Sequence, residues 1–306
     1  MKNAKNHPMF VLGISAILVL SLLAGCQAKT PAPAAPTVQR VSSSGRQMAN
    51  PDSLVDVAQL KELVGLDNVV LVDYTDNPSS LIPGAISIDR NKLIRELDGD
   101  RQSIQTQAVH EQVLGENGID NETTVIVYDN NNNLQAIRFL WQLRAYGHRD
   151  VRVLDGGMKA WVAAGEPVVD KPATPKPAVT YKAVNNVGQF RADLADVIDA
   201  TNNSNWSLID TRNPGEWNAG RVPGAYQFTY PDDFLNDDGT FKTLAEYEAL
   251  FRNIPKDTKI ITYCAGGIRA ATSFYIMTDF LGWPNRVLNY DGSWSNYSWA
   301  NAPVEK

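Results

Sequence analysis

Cys264 stands in the stretch YCAGGIRAATSF, residues 263–274, between the apolar, β-branched run KIIT and a helix-like segment. A thiol at the carboxyl edge of a parallel sheet is where open α/β folds tend to place ligand chemistry. The residues that follow, AGGIR, carry little side-chain bulk. Gly266 and Gly267 can adopt backbone angles closed to other residues, so successive N–H groups can turn inward around one negatively charged atom. The amino end of the next helix, with Arg269, adds positive potential. Together these features favour thiolate over thiol and make Cys264 a candidate nucleophile. A buried, inert cysteine is the commoner fate of this residue. Glycines at this point would weaken a purely structural turn, so the pattern favours a functional thiol.

The chain has two cysteines, and the other lies in a different context. Cys26 ends LLAGC, residues 22–26, after the apolar run MFVLGISAILVLSLLAG and the basic Lys2 and Lys5. The run is short for a membrane span and suits an export signal. LLAGC resembles a bacterial lipobox, which implies cleavage before Cys26 and lipid on its sulfur and amine. The expectation is a signal peptide over 1–25 and a protein lipid-anchored in the bacterial cell envelope, facing the extracytoplasmic side. Loss of Lys2 and Lys5 takes the net charge from −6 to −8. Cys264 then has no partner in its own chain, although oxidising compartments favour disulfides.

The acidic balance argues against nucleic acid as a partner. His7, His110 and His148 are far apart, and no metal-ligand spacing appears. At 306 residues the chain is long enough for two domains. Residues 26–50, rich in Pro, Ala and Ser, read as a flexible tether. A Pro/Lys-rich stretch, DKPATPKPAVT, separates two halves. The expected divisions are a first domain over 51–170, a linker over 171–185 and a second domain over 186–306.

NVVLVD and TTVIVYD in the first half, and WSLID, KIITYC and RVLNYD in the second, read as strands. LQAIRFLWQLRAYG, GGMKAWVAAG and IRAATSFYIMTDFLG read as helices. The alternation predicts an α/β fold, a mainly parallel sheet with helices on both faces in each half. The halves repeat each other: VLVDYTDNPSSLIPGAISI parallels SLIDTRNPGEWNAGRVPGAYQF, and VLDGGMKAWVAAGEPV parallels LNYDGSWSNYSWANAPV. In this tandem duplication Asp129 occupies the place of Cys264.

YCAGGIRAA resembles the Cys-x-x-Gly-x-Arg active-site loop of the rhodanese family of sulfurtransferases. LIDTRNPGEWNAGRVPGA and YDGSWSNYSWANAPV resemble segments of its catalytic domain, and IRFLWQLRAYGHRDVRVLDGGMKAW resembles the inactive first domain of two-domain members. The resemblance covers about residues 54–305. It implies two tandem rhodanese-like domains, the first inactive and the second catalytic. It also implies a two-step transfer, in which Cys264 takes a sulfane sulfur as a persulfide and passes it to a thiol or cyanide. Backbone amides of Ala265, Gly266, Gly267, Ile268 and Arg269 would hold the persulfide charge. No metal or organic cofactor is implied, and the partners would be small sulfur donors and thiol acceptors. The donor stays open among thiosulfate, mercaptopyruvate and polysulfide, and no protein partner is indicated.

Asp210 and Arg212 follow a predicted strand and either pair with each other or face the pocket; Arg212 is therefore a substrate-binding candidate and Asp210 a support. Glu216 is placed to fix Arg269 in a bidentate pair. Trp294, Tyr297 and Trp299 either wall the pocket or fill the core. DNNNN, residues 129–133, reads as a solvated loop with no role, His148 as structural, and Arg221 as a surface residue. Two rivals stand beside sulfur transfer. One is a phosphatase, disfavoured because four rather than five residues separate Cys264 from Arg269. The other is a non-catalytic binding or scaffold lipoprotein of the envelope.

Overall fold

The computed structural model describes residues 40–41, 46–283 and 286–306. The expected signal peptide and the lipidation site at Cys26 lie outside the described residues.

Each half builds a five-stranded parallel sheet, and the two sheets share one strand order. In the first domain the order is Leu54–Val55, Val151–Leu154, Thr124–Tyr128, Val69–Asp73 and Ile86–Ser87. In the second it is Arg191–Ala192, Val287–Tyr290, Lys259–Tyr263, Trp206–Asp210 and Tyr226–Gln227. The central strands are buried along most of their length because side chains of alternate parity meet cores on opposite faces. Val69 and Leu71 pack with Leu60, Met158 and Trp161 on one side, while Val70 and Val72 join a larger core on the other. In the second domain, Leu208 and Ile261 face one way and Ile209 and Ile260 the other.

That larger core is common to both domains. Helix Leu134–Ala145 packs on helix Ile268–Tyr275, which continues as a π-helical turn over Ile276–Phe280. Phe139, Leu140, Phe241, Tyr275 and Phe280 are all buried within it. Each such side chain contributes about 1.5–3 kcal/mol when removed from water. A partly buried Arg144–Asp279 fork, with bonds of 2.7 and 2.9 Å, crosses the same boundary. The domains are therefore parts of one compact unit.

One segment differs from the sequence reading, and a second has a definite place in the fold. Residues 46–50, expected at the end of a flexible tether, pack on the second domain. Met48 is buried, and Ala49 and Asn50 donate their N–H groups to the carbonyls of Phe280 and Asp279. The linker over 171–185 is docked along the first domain rather than free. Its Tyr181 is buried, and its backbone bonds Ala85 and Gly115 through Ala173 and Val179.

Candidate active site

Cys264 follows the central strand Lys259–Tyr263 and is 1 % exposed. Its N–H donates to the Ser293 hydroxyl at 3.1 Å, and its carbonyl accepts from Trp294 N–H at 2.9 Å. Gly267 caps the following helix in the left-handed region, φ 75°, and a Cβ there would come within 2.5 Å of the Asp291 carbonyl oxygen. Only glycine satisfies both conditions without a shift. The Gly267 carbonyl is held from behind by Asn289 Nδ2 at 3.0 Å and Arg138 Nη1 at 3.4 Å. Ser295 fixes the Ala265 carbonyl through its N–H at 3.0 Å and its hydroxyl at 2.7 Å. The carbonyls of Cys264, Ala265 and Gly267 are thus all engaged. The N–H groups of residues 265–269 have no acceptor among the described residues.

The first-domain counterpart shows what such a loop does with an anion. Asp129 follows the strand Thr124–Tyr128, and its helix is also capped by a left-handed residue, Asn133 with φ 59°. The Asp129 carboxylate accepts four backbone N–H groups, from Asn131 at 2.7 Å, Asn133 at 2.9 Å, Gln135 at 2.6 Å and Ala136 at 2.8 Å. Burial pushes its pKa up, against these four bonds. The expectation of a solvated loop at 129–133 is wrong at both ends: Asp129 and Asn133 are buried, because the carboxylate is drawn into its own cradle.

Arg269, the second residue of helix Ile268–Tyr275, donates to Glu216 at 2.7 and 2.8 Å. Glu216 is positioned by a capping box at the start of helix Pro214–Ala219, exchanging bonds with Asn213. The Arg269 bonds hold the Glu216 pKa below the usual carboxylate range. The Arg269 pKa is raised, chiefly by Glu216, with the nearby Cys264 sulfur adding to it.

Of the two arrangements open to Arg212, the structure shows the pair with Asp210. It is buried with its guanidinium committed to Asp210, at 2.7–3.0 Å, and to the Gly220 carbonyl at 2.7 Å, beneath the Trp294 ring. The short two-residue spacing after a buried strand favours this local pair, and Asp210 is a support as expected. Tyr297 is core, with its hydroxyl on the Pro303 carbonyl, and Trp294 stacks on it. Trp299 is exposed and covers Gly99 of the first domain. His148 is buried against Tyr181 and bonded to the Thr123 carbonyl. Arg221 ties Glu305 near the carboxyl terminus.

The sequence reading did not find the contribution of the first domain. The antiparallel hairpin Ile94–Leu97 and Asp100–Ile104 lies over the Cys264 loop, where Gln102 and Asp100 approach Gly266. Arg138 bonds the Gln102 carbonyl at 2.8 Å and pairs with Asp291, which also accepts Ile104 N–H at 2.8 Å. The repeat carried part of this signal. Asp155, the counterpart of Asp291, accepts Phe241 N–H at 2.9 Å from the opposite domain. Each domain therefore clasps a segment of the other through the same aspartate.

The Rhodanese-like domain family matches residues 56–164 and 193–300. The chain belongs to the rhodanese family. A Saccharopolyspora erythraea relative named "Putative thiosulfate sulfurtransferase" is 32% identical over 282 residues, covering 84% of this chain and 98% of its own. A Corynebacterium glutamicum relative named "Thiosulfate sulfurtransferase" is 30% identical over 286 residues, covering 85% and 92%. Among solved structures, YnjE matches with a TM-score of 0.72 at 25% identity, covering 84% of this chain and 69% of YnjE. The anaerobic ergothioneine biosynthesis enzyme from Chlorobium limicola matches with a TM-score of 0.73 at 24% identity, covering 84% and 71%, a likeness of fold. This rhodanese is a two-domain sulfurtransferase, and the matched ranges agree with the two sheets described above.

Proposed function

We propose that this rhodanese moves a sulfane sulfur through a persulfide on Cys264. The Cys264 thiolate attacks the outer sulfur of the donor; the bond from that sulfur to the rest of the donor breaks, and the electron pair leaves with the departing group. The terminal sulfur of the persulfide carries one negative charge. A thiolate or cyanide acceptor then attacks that sulfur and returns the electron pair to Cys264. The observation that carries this reading is the Asp129 loop, whose four N–H donors hold one anion in the matching place. A side chain shorter than aspartate by one heavy atom at Cys264, with the N–H groups of Ala265, Gly266, Gly267, Ile268 and Arg269 uncommitted among the described residues, suits the same cradle to a persulfide sulfur.

The test is thiocyanate formation from cyanide with thiosulfate, 3-mercaptopyruvate and polysulfide as donors. Transfer from at least one donor, abolished in Cys264→Ser, supports the reading; no transfer from any of them overturns it. Hydrolysis of p-nitrophenyl phosphate in place of transfer would favour the phosphatase. The lipobox-like LLAGC supports attachment of the enzyme to a bacterial envelope membrane through Cys26. Release of the protein into the soluble fraction by Cys26→Ala is the corresponding outcome.

A further inference from the structure

The first-domain hairpin brings a carboxylate, Asp100, to the Cys264 loop, and among the described residues it forms no salt bridge. A Cβ built on Gly266 would lie 3.3 Å from Gln102 Nε2 and 3.8 Å from Asp100 Oδ1. Asp100 is 1 % exposed and held in one orientation by neutral donors, Gln102 N–H at 2.9 Å and the Ser103 hydroxyl at 2.7 Å.

Several charges around it are paired among the described residues. Arg269 is paired with Glu216, Arg212 with Asp210 and Arg90 with Asp76. Asp291, on the turn after Val287–Tyr290, faces Asp100 together with Arg138 from helix Leu134–Ala145 and the Tyr290 hydroxyl. Arg191 reaches Asp291 at 3.6 Å, so two arginines share that aspartate. With Asp100 ionised, these groups carry no net charge; with Asp100 protonated they carry one positive charge. The backbone cradle suits one negative atom, and nothing in this balance favours a second.

We propose that Asp100 sets the charge of the sulfur donor that Cys264 accepts, favouring donors with one negative charge or none over a dianion. The proposal rests on the Cys264 reading above. Thiosulfate brings two negative charges, and its S–S bond breaks with the pair leaving on sulfite. 3-Mercaptopyruvate brings one charge; its C–S bond breaks with the pair going to carbon, which takes up the thiol proton to give pyruvate. In low-dielectric surroundings, the added charge of thiosulfate beside an ionised carboxylate is felt strongly. Burial, with the Asp291 charge adding to it, pushes the Asp100 pKa up to about 6. The carboxylate is therefore neutralised within the range in which the enzyme can be assayed, and thiosulfate use should improve below that value.

The experiment measures kcat/KM for thiosulfate and for 3-mercaptopyruvate between about pH 5 and about pH 8. It uses the purified full chain, Asp100→Asn and Gln102→Glu. Asparagine keeps an acceptor for Gln102 N–H and offers a donor to Ser103 while removing the charge. Taking the ratio of the two donors cancels titrations that affect both equally, including that of Glu216. The wild-type ratio of thiosulfate to mercaptopyruvate should rise about tenfold from the alkaline to the acid end. Asp100→Asn should show the acid ratio throughout, and Gln102→Glu should lower the ratio at neutral pH. If Asp100→Asn fails to fold, the wild-type profile and Gln102→Glu decide. Intact transfer with a ratio that ignores pH and both substitutions overturns this proposal alone. Absence of transfer from both donors overturns the Cys264 reading and the proposal with it.

Discussion

Glu216 and Arg269 form a two-bond fork, 2.7 and 2.8 Å, that joins the start of one helix to the start of the catalytic helix. The guanidinium is therefore engaged before any donor arrives, and its main task is to hold the loop. Arg269→Lys keeps the charge and loses the planar fork. It should reduce turnover nearly as far as Arg269→Ala, by about tenfold or more for a positioning loss of about 1.4 kcal/mol. Glu216→Gln should show part of the same loss, and the double variant less than the sum of the singles. Steady-state rates with one donor check this; near-normal activity in Arg269→Lys would mean that charge alone suffices.

Asp129 is expected to matter for stability and not for transfer. Its removal leaves four backbone N–H groups without this acceptor, two of them in buried residues, a loss of about 2–4 kcal/mol. Asp129→Ala should lower the denaturation midpoint accordingly and leave turnover per folded molecule within about twofold, since a carboxylate cannot form a persulfide. Paired urea unfolding and active-site titration separate the two effects. A large loss of turnover in fully folded protein would give the first domain a part in the chemistry.

Arg144 and Asp279 cross the domain boundary, and their response to pH has a definite sign. Burial alone raises the Asp279 pKa, but Arg144 outweighs it and holds the carboxyl below the usual carboxylate range. The depressed folded pKa means that the stabilisation is present above the unfolded pKa and is lost as pH falls through the folded one. Arg144→Met removes the partner, so burial then raises the folded pKa and the destabilisation is greatest above the unfolded value. The expected cost is about 3–5 kcal/mol at neutral pH, shrinking toward about pH 4. Denaturant midpoints at the two pH values check it; an equal cost at both would contradict this ion-pair account.

Much of the fold was legible because the chain states it twice. VVLVD and KIITY are apolar on both faces, as buried parallel strands require, and Asp73 and Asp210 mark equivalent strand ends. The loop was legible because cysteine, two glycines and an arginine have a joint physical meaning at a strand-to-helix turn. Arg212 was ambiguous in sequence because a buried ion pair and a substrate clamp use the same two residue types; in the structure it pairs with Asp210, with the Gly220 carbonyl and the Trp294 ring beside it. The hairpin over the loop was not legible. Asp100 and Gln102 are polar residues in a polar segment, and their meaning comes from contacts with residues more than 160 positions away. Arg138, likewise, reads as one charge on an amphipathic helix until Asp291 is placed beside it.

The account stands or falls on where the transferred sulfur resides. Intact-protein mass spectrometry after brief exposure to thiosulfate, 3-mercaptopyruvate or polysulfide, with peptide mapping, measures this directly. The expected result is a gain of one sulfur atom on Cys264, discharged by cyanide and absent in Cys264→Ser. Full turnover in the assay without any sulfur adduct on Cys264, or with the adduct unchanged in Cys264→Ser, would contradict it.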